Sequence, residues 1–317
     1  MTRMRNLIAR LAVALGAAAW GLFWIPLRIL DQNGIRGAWA IALIMLLAAF
    51  GASLLLWFRR WFAPATHARH RRSDRNLLVG ASFGLSILCY CLGLLFSDIV
   101  RVVLLFYLLP VWTTLAEWLV RRQAIGARRI TCIGFCLCGL WLLMGGDFSG
   151  PAFGTAGDWF ALLAGMLWAF GLVIVSYNRA ADQTKTVDAL QIMALTFWWA
   201  FVLAMLCGFV VNAMALLPDA EPPALFHLGV QWVHVVVATL ILLPAMMGQV
   251  WGARFISAQA ASLLTMSELV SATLSAALLI GIGLDRTGWV GAVIIILAVL
   301  ADQFSRGDQS RFAGKKA

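Results

Sequence analysis

The sequence has few charged residues: Asp, Glu, Lys and Arg together make up 12% of its 317 residues. Soluble domains carry about twice that share, roughly 25%. The chain is also 62% hydrophobic, which excludes a disordered protein and a conventional cytosolic enzyme. Acidic residues are the scarcest charges, with 14 against 24 basic ones. The resulting net charge of +10 needs an explanation, because in a soluble protein it would suggest nucleic-acid binding.

Signatures of catalysis and metal binding are also missing. The sequence contains no His-Glu-x-x-His, no Gly-x-Ser-x-Gly and no phosphate-binding glycine loop. The longest stretch outside the apolar runs, 59–75, is too short for a catalytic domain. All six cysteines lie inside apolar runs, and Cys132, Cys136 and Cys138 share one of them without a histidine. They are expected to pack as small apolar side chains, so the sequence predicts no enzyme, no metal and no cofactor.

Long apolar runs take up most of the chain. A bilayer is crossed by about 20 apolar residues in a helix, and backbone groups in lipid must be paired within the segment. The runs lack the alternation of barrel strands, so the sequence predicts an all-α membrane protein with ten transmembrane helices. They lie at 8–30, 37–58, 76–97, 100–120, 130–147, 158–178, 189–212, 229–251, 257–282 and 287–303.

The basic residues predict the orientation. With the N-terminus in the cytoplasm, 20 of the 24 Lys and Arg residues fall in cytoplasmic segments, as the positive-inside rule requires. Both termini are then cytoplasmic, and the protein is expected in a bacterial inner membrane. The basic loop 59–75 is interpreted as a contact with anionic lipid rather than nucleic acid. A cleavable signal peptide is the competing interpretation of the N-terminus, but the apolar run extends to Leu30, beyond a signal core.

The chain divides into two similar halves, predicted at 1–150 and 151–317. Gly93–Pro110 aligns without gaps on Gly252–Leu269, a shift of 159 residues. Each half has five runs, an odd number, so the halves must have opposite orientations in the membrane. Inverted repeats of this kind are typical of transporters that work by alternating access.

These segments also carry a family resemblance. The chain resembles the bacterial ten-helix EamA-type transporters of the drug/metabolite transporter superfamily. The resemblance implies an inner-membrane carrier, often an exporter of amino acids or other small metabolites, with its substrate cavity between the halves. Two features depart from the family pattern, because Ile282 follows Gly281 where Glu is usual and Leu269 replaces the usual Pro. The matching motifs are Trp20-Gly21, the turn into Tyr107–Pro110, Gly139–Gly146, Gly157–Trp159 with Trp168, and Ser262–Glu268.

Three residues of the first run suggest a substrate-binding face. Trp20, Trp24 and Arg28 follow one another at intervals of four, which places them on one side of a helix. The indoles would form a stacking wall and Arg28 an anion clamp. The alternative is an interfacial tryptophan belt, with Arg28 reaching outward to the headgroups. Pro26 lies within the stripe and is expected to bend the helix.

Glu268 is the most informative single residue, because it lies near the middle of the ninth run. An unpaired carboxylate there costs at least about 2.5–3.5 kcal/mol. Burial favours its neutral, protonated form, so a coupling site that binds and releases a proton is predicted. The alternative is a structural hydrogen bond between helices.

The remaining candidates complete a predicted substrate wall and gate. Tyr107, Trp168, Gln249 and Trp251 are further wall residues, while Asp98 and Arg101 form a gate or a local ion pair at the turn between runs three and four. Glu117 is expected to pair with Arg121, four residues later.

The leading interpretation is a secondary transporter, working as an exporter of a small amino-acid-like or other organic solute. Its expected partners are that solute, the lipid bilayer and protons, without nucleic acid, and the protein would be a monomer or a homodimer. An intramembrane lipid-modifying enzyme and a non-transporting membrane scaffold are the alternatives.

Overall fold

The computed structural model describes residues 2–35, 37–62, 74–97, 99–121, 126–143, 154–181, 188–213, 229, 231–280 and 286–313. This part of the chain is helical throughout, apart from turns and short connections, and contains no strand. The helices are α1 (Thr2–Trp20), α2 (Trp24–Gln32), α3 (Gly37–Phe62), α4 (Asp74–Phe96), α5 (Ile99–Phe106), α6 (Leu109–Arg121), α7 (Ala127–Leu143), α8 (Ala156–Ala181), α9 (Ala189–Ala213), α10 (Gln231–Ala253), α11 (Ala258–Thr265), α12 (Ser267–Ile280) and α13 (Arg286–Ala313).

Six segments are long and apolar enough to cross a membrane, as judged by length and composition among the described residues. The predicted count of ten is therefore not confirmed. The fourth and ninth predicted runs are each divided between two shorter helices, and α7 has only 17 residues. In α13 the apolar part is the short stretch Arg286–Ala301. The six are Met4–Leu30, Gly37–Phe62, Asp74–Gly93, Ala156–Ser176, Ala189–Ala213 and Gln231–Ala253.

Three of the predicted runs are interrupted. The first breaks at 21–23, where Leu22 and Phe23 donate backbone hydrogen bonds to residues only three positions earlier. This break precedes Pro26, which lies in the first turn of α2, where its missing N–H costs nothing. The bend expected at Pro26 is thus displaced toward Gly21.

The fourth run breaks at 107–108, between α5 and α6. Pro110 explains this break, because its ring would collide with the carbonyl group of Phe106 in a continuous helix. The ninth run has no proline but breaks at Met266. Here the hydroxyl groups of Thr265 and Ser267 donate to carbonyl oxygens three residues earlier, at 2.6 and 2.8 Å, a pattern that bends helices.

The helices pack in pairs that join the first five predicted runs to the last five. Helix α4 packs along α8 and α9, α10 packs along α1 and α3, and α3 packs along α9. Helices α5 and α6 lie against α8, helices α11 and α12 lie against α1, and α7 pairs with α13. The larger core therefore lies between the two parts of the chain, with Phe83 and Phe197 among its fully buried side chains.

The outer surface is apolar. Phe50 and Leu54 on α3 and Leu206 and Phe209 on α9 are all more than half exposed. Monomeric soluble proteins rarely expose apolar surface on this scale. This surface suits contact with lipid.

Candidate functional site

Glu268 lies where the ninth predicted run is interrupted. It is the second residue of α12, directly after the break at Met266, and its side chain is partly buried. The break creates a helix N-terminus deep in the bundle, and such a terminus favours a negative charge in its first turn. Glu268, the acid that stood out in an apolar run, therefore lies at a break in a helix.

Tyr107 lies in the matching break of the fourth run. It is 2% exposed, and the carboxyl group of Glu268 lies beside its hydroxyl group. The two groups approach closely without ordinary hydrogen-bond geometry, since the hydroxyl has no such partner among the described residues. Tyr90 on α4 also lies within electrostatic range of Glu268. Two phenol groups thus lie within electrostatic range of one carboxyl group, and Tyr90 was not predicted as a site residue.

A row of serines holds α12 against the first run. The hydroxyl oxygens of Ser267 and Ser271 lie 2.7 Å from the carbonyl oxygens of Ala14 and Ala18. Each hydroxyl shares its one proton between that oxygen and the carbonyl oxygen three residues earlier in the sequence. One turn further on, the indole N–H of Trp24 donates to Ser275 at 3.0 Å. These bonds fix α12, and Glu268 with it, against α1 and α2.

Gly21 allows this close packing. A Cβ atom built on Gly21 would lie 2.1 Å from the hydroxyl oxygen of Ser271 and 2.3 Å from the carbonyl oxygen of Glu268. Any other residue would collide with the backbone that carries the carboxylate.

Aromatic rings from several helices form two groups near these breaks. Trp20 meets Trp168 edge-on, with ring centroids 6.2 Å apart, and Trp168 lies 4.5 Å from Phe83. Tyr90 meets Phe106 at 5.0 Å. Trp20, Trp168 and Tyr107 were predicted as wall residues, whereas Phe83, Tyr90 and Phe106 were not.

The predicted face of Trp20, Trp24 and Arg28 does not lie on one continuous helix. Because the helix is interrupted at 21–23, Trp20 turns toward Trp168 on α8 and Trp24 turns toward Ser275 on α12. Arg28 is exposed, and the side chain of Asp31, its suggested partner, lies outside the described residues. The correction follows from the break, since the spacing of four applies only to a continuous helix.

Gln249 and Trp251 point in different directions from α10. Gln249 is 3% exposed and packs against Gly16 of α1, and its amide nitrogen has no acceptor within the described part of the chain. The ring of Trp251 instead contacts Phe255, with centroids 5.0 Å apart. Two residues of separation turn a helix by about 200°, so they do not share a surface.

The predicted gate residues, Asp98 and the side chain of Arg101, lie outside the described residues. Their neighbour Ser97 donates a hydrogen bond of 2.6 Å to Asp158 at the start of α8. The other oxygen of Asp158 accepts from the backbone N–H groups of Gly154 and Thr155, so this acid caps α8 and ties it to the end of α4.

Glu117 has a structural partner that its spacing did not predict. It is 6% exposed, and its carboxylate accepts a hydrogen bond of 3.0 Å from the backbone N–H of Ala258, the first residue of α11. The side chain of Arg121, its predicted partner, lies outside the described residues. Glu117 therefore caps a helix 141 residues away, which no local spacing could reveal.

A polar network near Arg59 was also missed. Both guanidinium nitrogens NH1 and NH2 of Arg59 contact Asp188, the first at 2.8 Å. Asn76 on α4 accepts from the backbone N–H of Asp188 at 3.3 Å and donates to Gln191 at 2.7 Å. The network links α3 and α4 to the start of α9.

Asp188 is more acidic than usual for an identifiable reason. Burial raises the pKa of its carboxyl group, but the hydrogen bond and charge of Arg59 lower it more, with help from backbone N–H groups of α9. The net pKa lies below the ordinary value. Asp188 is therefore held in its charged form.

No group of three or more His, Cys, Asp or Glu residues suited to a metal ion occurs among the described residues. The described cysteines, including Cys132, Cys136 and Cys138, form no disulfide bonds with one another. The candidate site is thus a carboxyl group, two phenols and aromatic rings at two helix breaks.

Comparison with known proteins finds a family match over the first part of the chain. The model of the EamA-like transporter family matches residues 7–145. No curated protein matches the sequence. Twenty-nine chains of solved structures match. One of them, a crystal structure, aligns with a TM-score of 0.70, and the alignment covers 95% of this chain and 97% of that chain. At 14% identity this likeness concerns the fold alone.

Proposed function

Because the model of the EamA-like transporter family matches residues 7–145, we propose that the chain is a secondary transporter that exports a small amphipathic metabolite, amino-acid-like or another organic solute. It works by alternating access, coupled to protons. The single observation that carries this proposal is the contact between Glu268 and Tyr107, which lie at breaks in two helices. Transporters commonly bind substrates and ions at such breaks.

The transporter has ten membrane spans in two inverted five-helix repeats, 1–150 and 151–317. The packing supports this arrangement, because the pairs of α4 with α8 and α9 have counterparts in the pairs of α10 with α1 and α3. The breaks support it too. Tyr107 and Met266 are separated by the same shift of 159 residues that aligns Gly93–Pro110 with Gly252–Leu269. The two interrupted spans are then equivalent elements of the repeats.

Glu268 is the proton-coupling residue in this proposal, and Tyr107 stabilises its charged form by donating a hydrogen bond. A carboxylate removed from water needs such a donor, and the hydroxyl group of Tyr107 is buried without another partner among the described residues. Protonation of Glu268 releases the phenol, so the proton and the contact between the two broken spans are linked.

The substrate binds beside this pair, against Trp20 and Trp168, with Trp24, Gln249 and Trp251 as further contacts along the path. Arg28 is exposed, so its anion clamp acts at the mouth of the path rather than in the interior. Asp98 and Arg101 act as the gate there. The aromatic groups favour a solute with an apolar body and a polar group.

The protein resides in the bacterial inner membrane with both termini in the cytoplasm, as a monomer or a homodimer. The distribution of basic residues supports this orientation. Cysteine labelling from either side of right-side-out vesicles tests it.

Flux in proteoliposomes tests the transport function and the role of Glu268 together. A panel of radiolabelled metabolites is offered with and without a pH gradient. For the wild type we expect flux of at least one solute that the gradient accelerates. Glu268→Gln keeps exchange of labelled for unlabelled solute but loses the response to the gradient. Asp74→Asn is the matched control, because Asp74 is an exposed acid at the start of α4.

Two results would contradict the proposal. An absence of flux for the whole panel, in liposomes that contain folded protein, would oppose transport itself. An unchanged response of Glu268→Gln to the pH gradient would oppose proton coupling at this residue while leaving transport intact.

A further inference from the structure

The turn between α10 and α11 brings two arginines to one aromatic ring. The ring of Phe255 has the guanidinium carbon of Arg254 5.8 Å from its centroid, and that of Arg5 from α1 at 5.0 Å. Both distances fall within the roughly 6 Å at which cation–π attraction acts. The ring of Trp251 packs against Phe255 as well, at 5.0 Å. Two arginines that are far apart in the sequence therefore lie beside the same ring.

The positive charge at this place is not balanced by the described residues. Neither Arg5 nor Arg254 has a carboxylate within salt-bridge distance among them. Asp188 is the acid that attracts Arg254, but both of its oxygens are held by Arg59 and one also accepts from the start of α9. Arg254 therefore shares the charge of one carboxylate with Arg59, which engages both oxygens of that carboxylate.

Arg254 is also partly removed from water. Burial lowers the pKa of its guanidinium group, the charge of Asp188 opposes that shift and the charge of Arg59 adds to it. A partly desolvated cation without an ionic partner is costly, and a bound anion would relieve that cost. In general, a guanidinium group that stacks on a ring by its flat face keeps the N–H donors at its edge available for an anion.

Tight packing fixes the two arginines relative to each other. A Cβ atom on Gly252 would lie 2.4 Å from the carbonyl oxygen of Ala9 and 2.6 Å from the Cγ2 atom of Val13. The end of α10 is therefore pressed against α1, one turn from Arg5. The backbone positions that carry Arg5 and Arg254 are therefore held close together by this packing.

We infer that Arg5 and Arg254, stacked on Phe255, form an anion-binding site for a phosphate group, which comes from the headgroup of an anionic lipid or from a free phosphate-bearing solute. Guanidinium groups bind phosphate through paired N–H donors, and a tetrahedral anion can accept from two of them at once. The site lies at the end of the bundle that also carries Arg59. The anion-binding site does not depend on transport, so a result that contradicts the proposed function would leave this inference unaffected.

The test measures binding to the purified full-length protein. Thermal unfolding in detergent is followed during titration with inorganic phosphate, with chloride at equal ionic strength as the reference. A second series compares nanodiscs of phosphatidylcholine alone with nanodiscs that contain phosphatidylglycerol. We expect saturable stabilisation by phosphate, by phosphatidylglycerol or by both. A response to phosphatidylglycerol alone assigns the site to lipid, and a response to phosphate in detergent assigns it to the free anion as well.

Arg254→Gln and Arg5→Gln should each weaken the apparent affinity about tenfold or more, as loss of a charged hydrogen bond does. Arg60→Gln is the matched control, because Arg60 is exposed and lies next to Arg59 but outside the cluster. If Arg254→Gln does not fold, Arg5→Gln on the exposed side of α1 provides the same comparison. A wild type that responds to neither ligand, or equal responses in the wild type and Arg5→Gln, would overturn the inference.

Discussion

Replacing Gly21 with alanine tests whether the first break positions Glu268. The added Cβ would lie 2.1 Å from the Ser271 hydroxyl oxygen, 2.3 Å from the Glu268 carbonyl oxygen and 3.1 Å from the Ala272 nitrogen. Carbon and oxygen approach no closer than about 3.3 Å even in favourable contacts. Helix α12 must therefore move by about 1 Å. The Ser271 side chain could rotate away, at the cost of its bond to Ala18, but the carbonyl group cannot.

Overpacking of this kind costs about 1–3 kcal/mol of unfolding free energy. We expect Gly21→Ala to lower the melting temperature in detergent by several degrees and to reduce flux in proteoliposomes, since Glu268 moves with α12. Gly134→Ala is the matched control: Gly134 lies in α7 with nothing within 4 Å of its added Cβ. That change should be neutral, or stabilising by up to about 1 kcal/mol through helix propensity. Equal melting temperatures and equal flux for Gly21→Ala and the wild type would refute the reasoning.

Three further predictions concern bonds between distant segments. Glu117→Ala removes the carboxylate that caps α11 and should cost about 0.5–2 kcal/mol of stability, measured by thermal unfolding; Glu117→Gln, which keeps an acceptor oxygen, should cost less. Because the pKa of Asp188 is lowered in the fold, its ion pair with Arg59 stabilises at neutral pH and is lost as the pH falls through that pKa. Asp188→Asn should therefore remove at most about 1 kcal/mol at pH 7 and flatten the acid limb of a stability–pH profile; an unchanged limb would contradict this. Trp24→Phe deletes the bond to Ser275 and should cost about 1 kcal/mol, with no added loss in the double variant that also carries Ser275→Ala.

Local sequence was a reliable guide to the continuous helices. The predicted runs 37–58 and 189–212 correspond to α3, Gly37–Phe62, and α9, Ala189–Ala213. Hydropathy and the backbone hydrogen bonds of a helix depend on residues that are close together in the sequence. A short stretch of sequence is therefore enough to predict a continuous helix. The unusual position of Glu268 was visible for the same reason, because a lone acid stands out within an apolar run.

The breaks were only partly visible. Pro110 marks the break at 107–108, but the break at Met266 has no proline and arises from hydroxyl groups that bond to the backbone. Serine and threonine also occur in unbroken helices, so their presence does not predict a break. The spacing of Trp20, Trp24 and Arg28 assumed one continuous helix, which the structure interrupts between α1 and α2.

The sequence by itself determined that the chain is helical and apolar, where most of its helices lie, and which acid is unusual. The model of the EamA-like transporter family matches residues 7–145. Only the tertiary structure decided what that acid and the other polar groups touch. Glu268 meets Tyr107, Glu117 caps α11 from 141 residues away, and Arg254 shares a ring with Arg5. Such contacts join side chains that are far apart along the chain, and they depend on how the helices pack, which spacing along one helix does not encode.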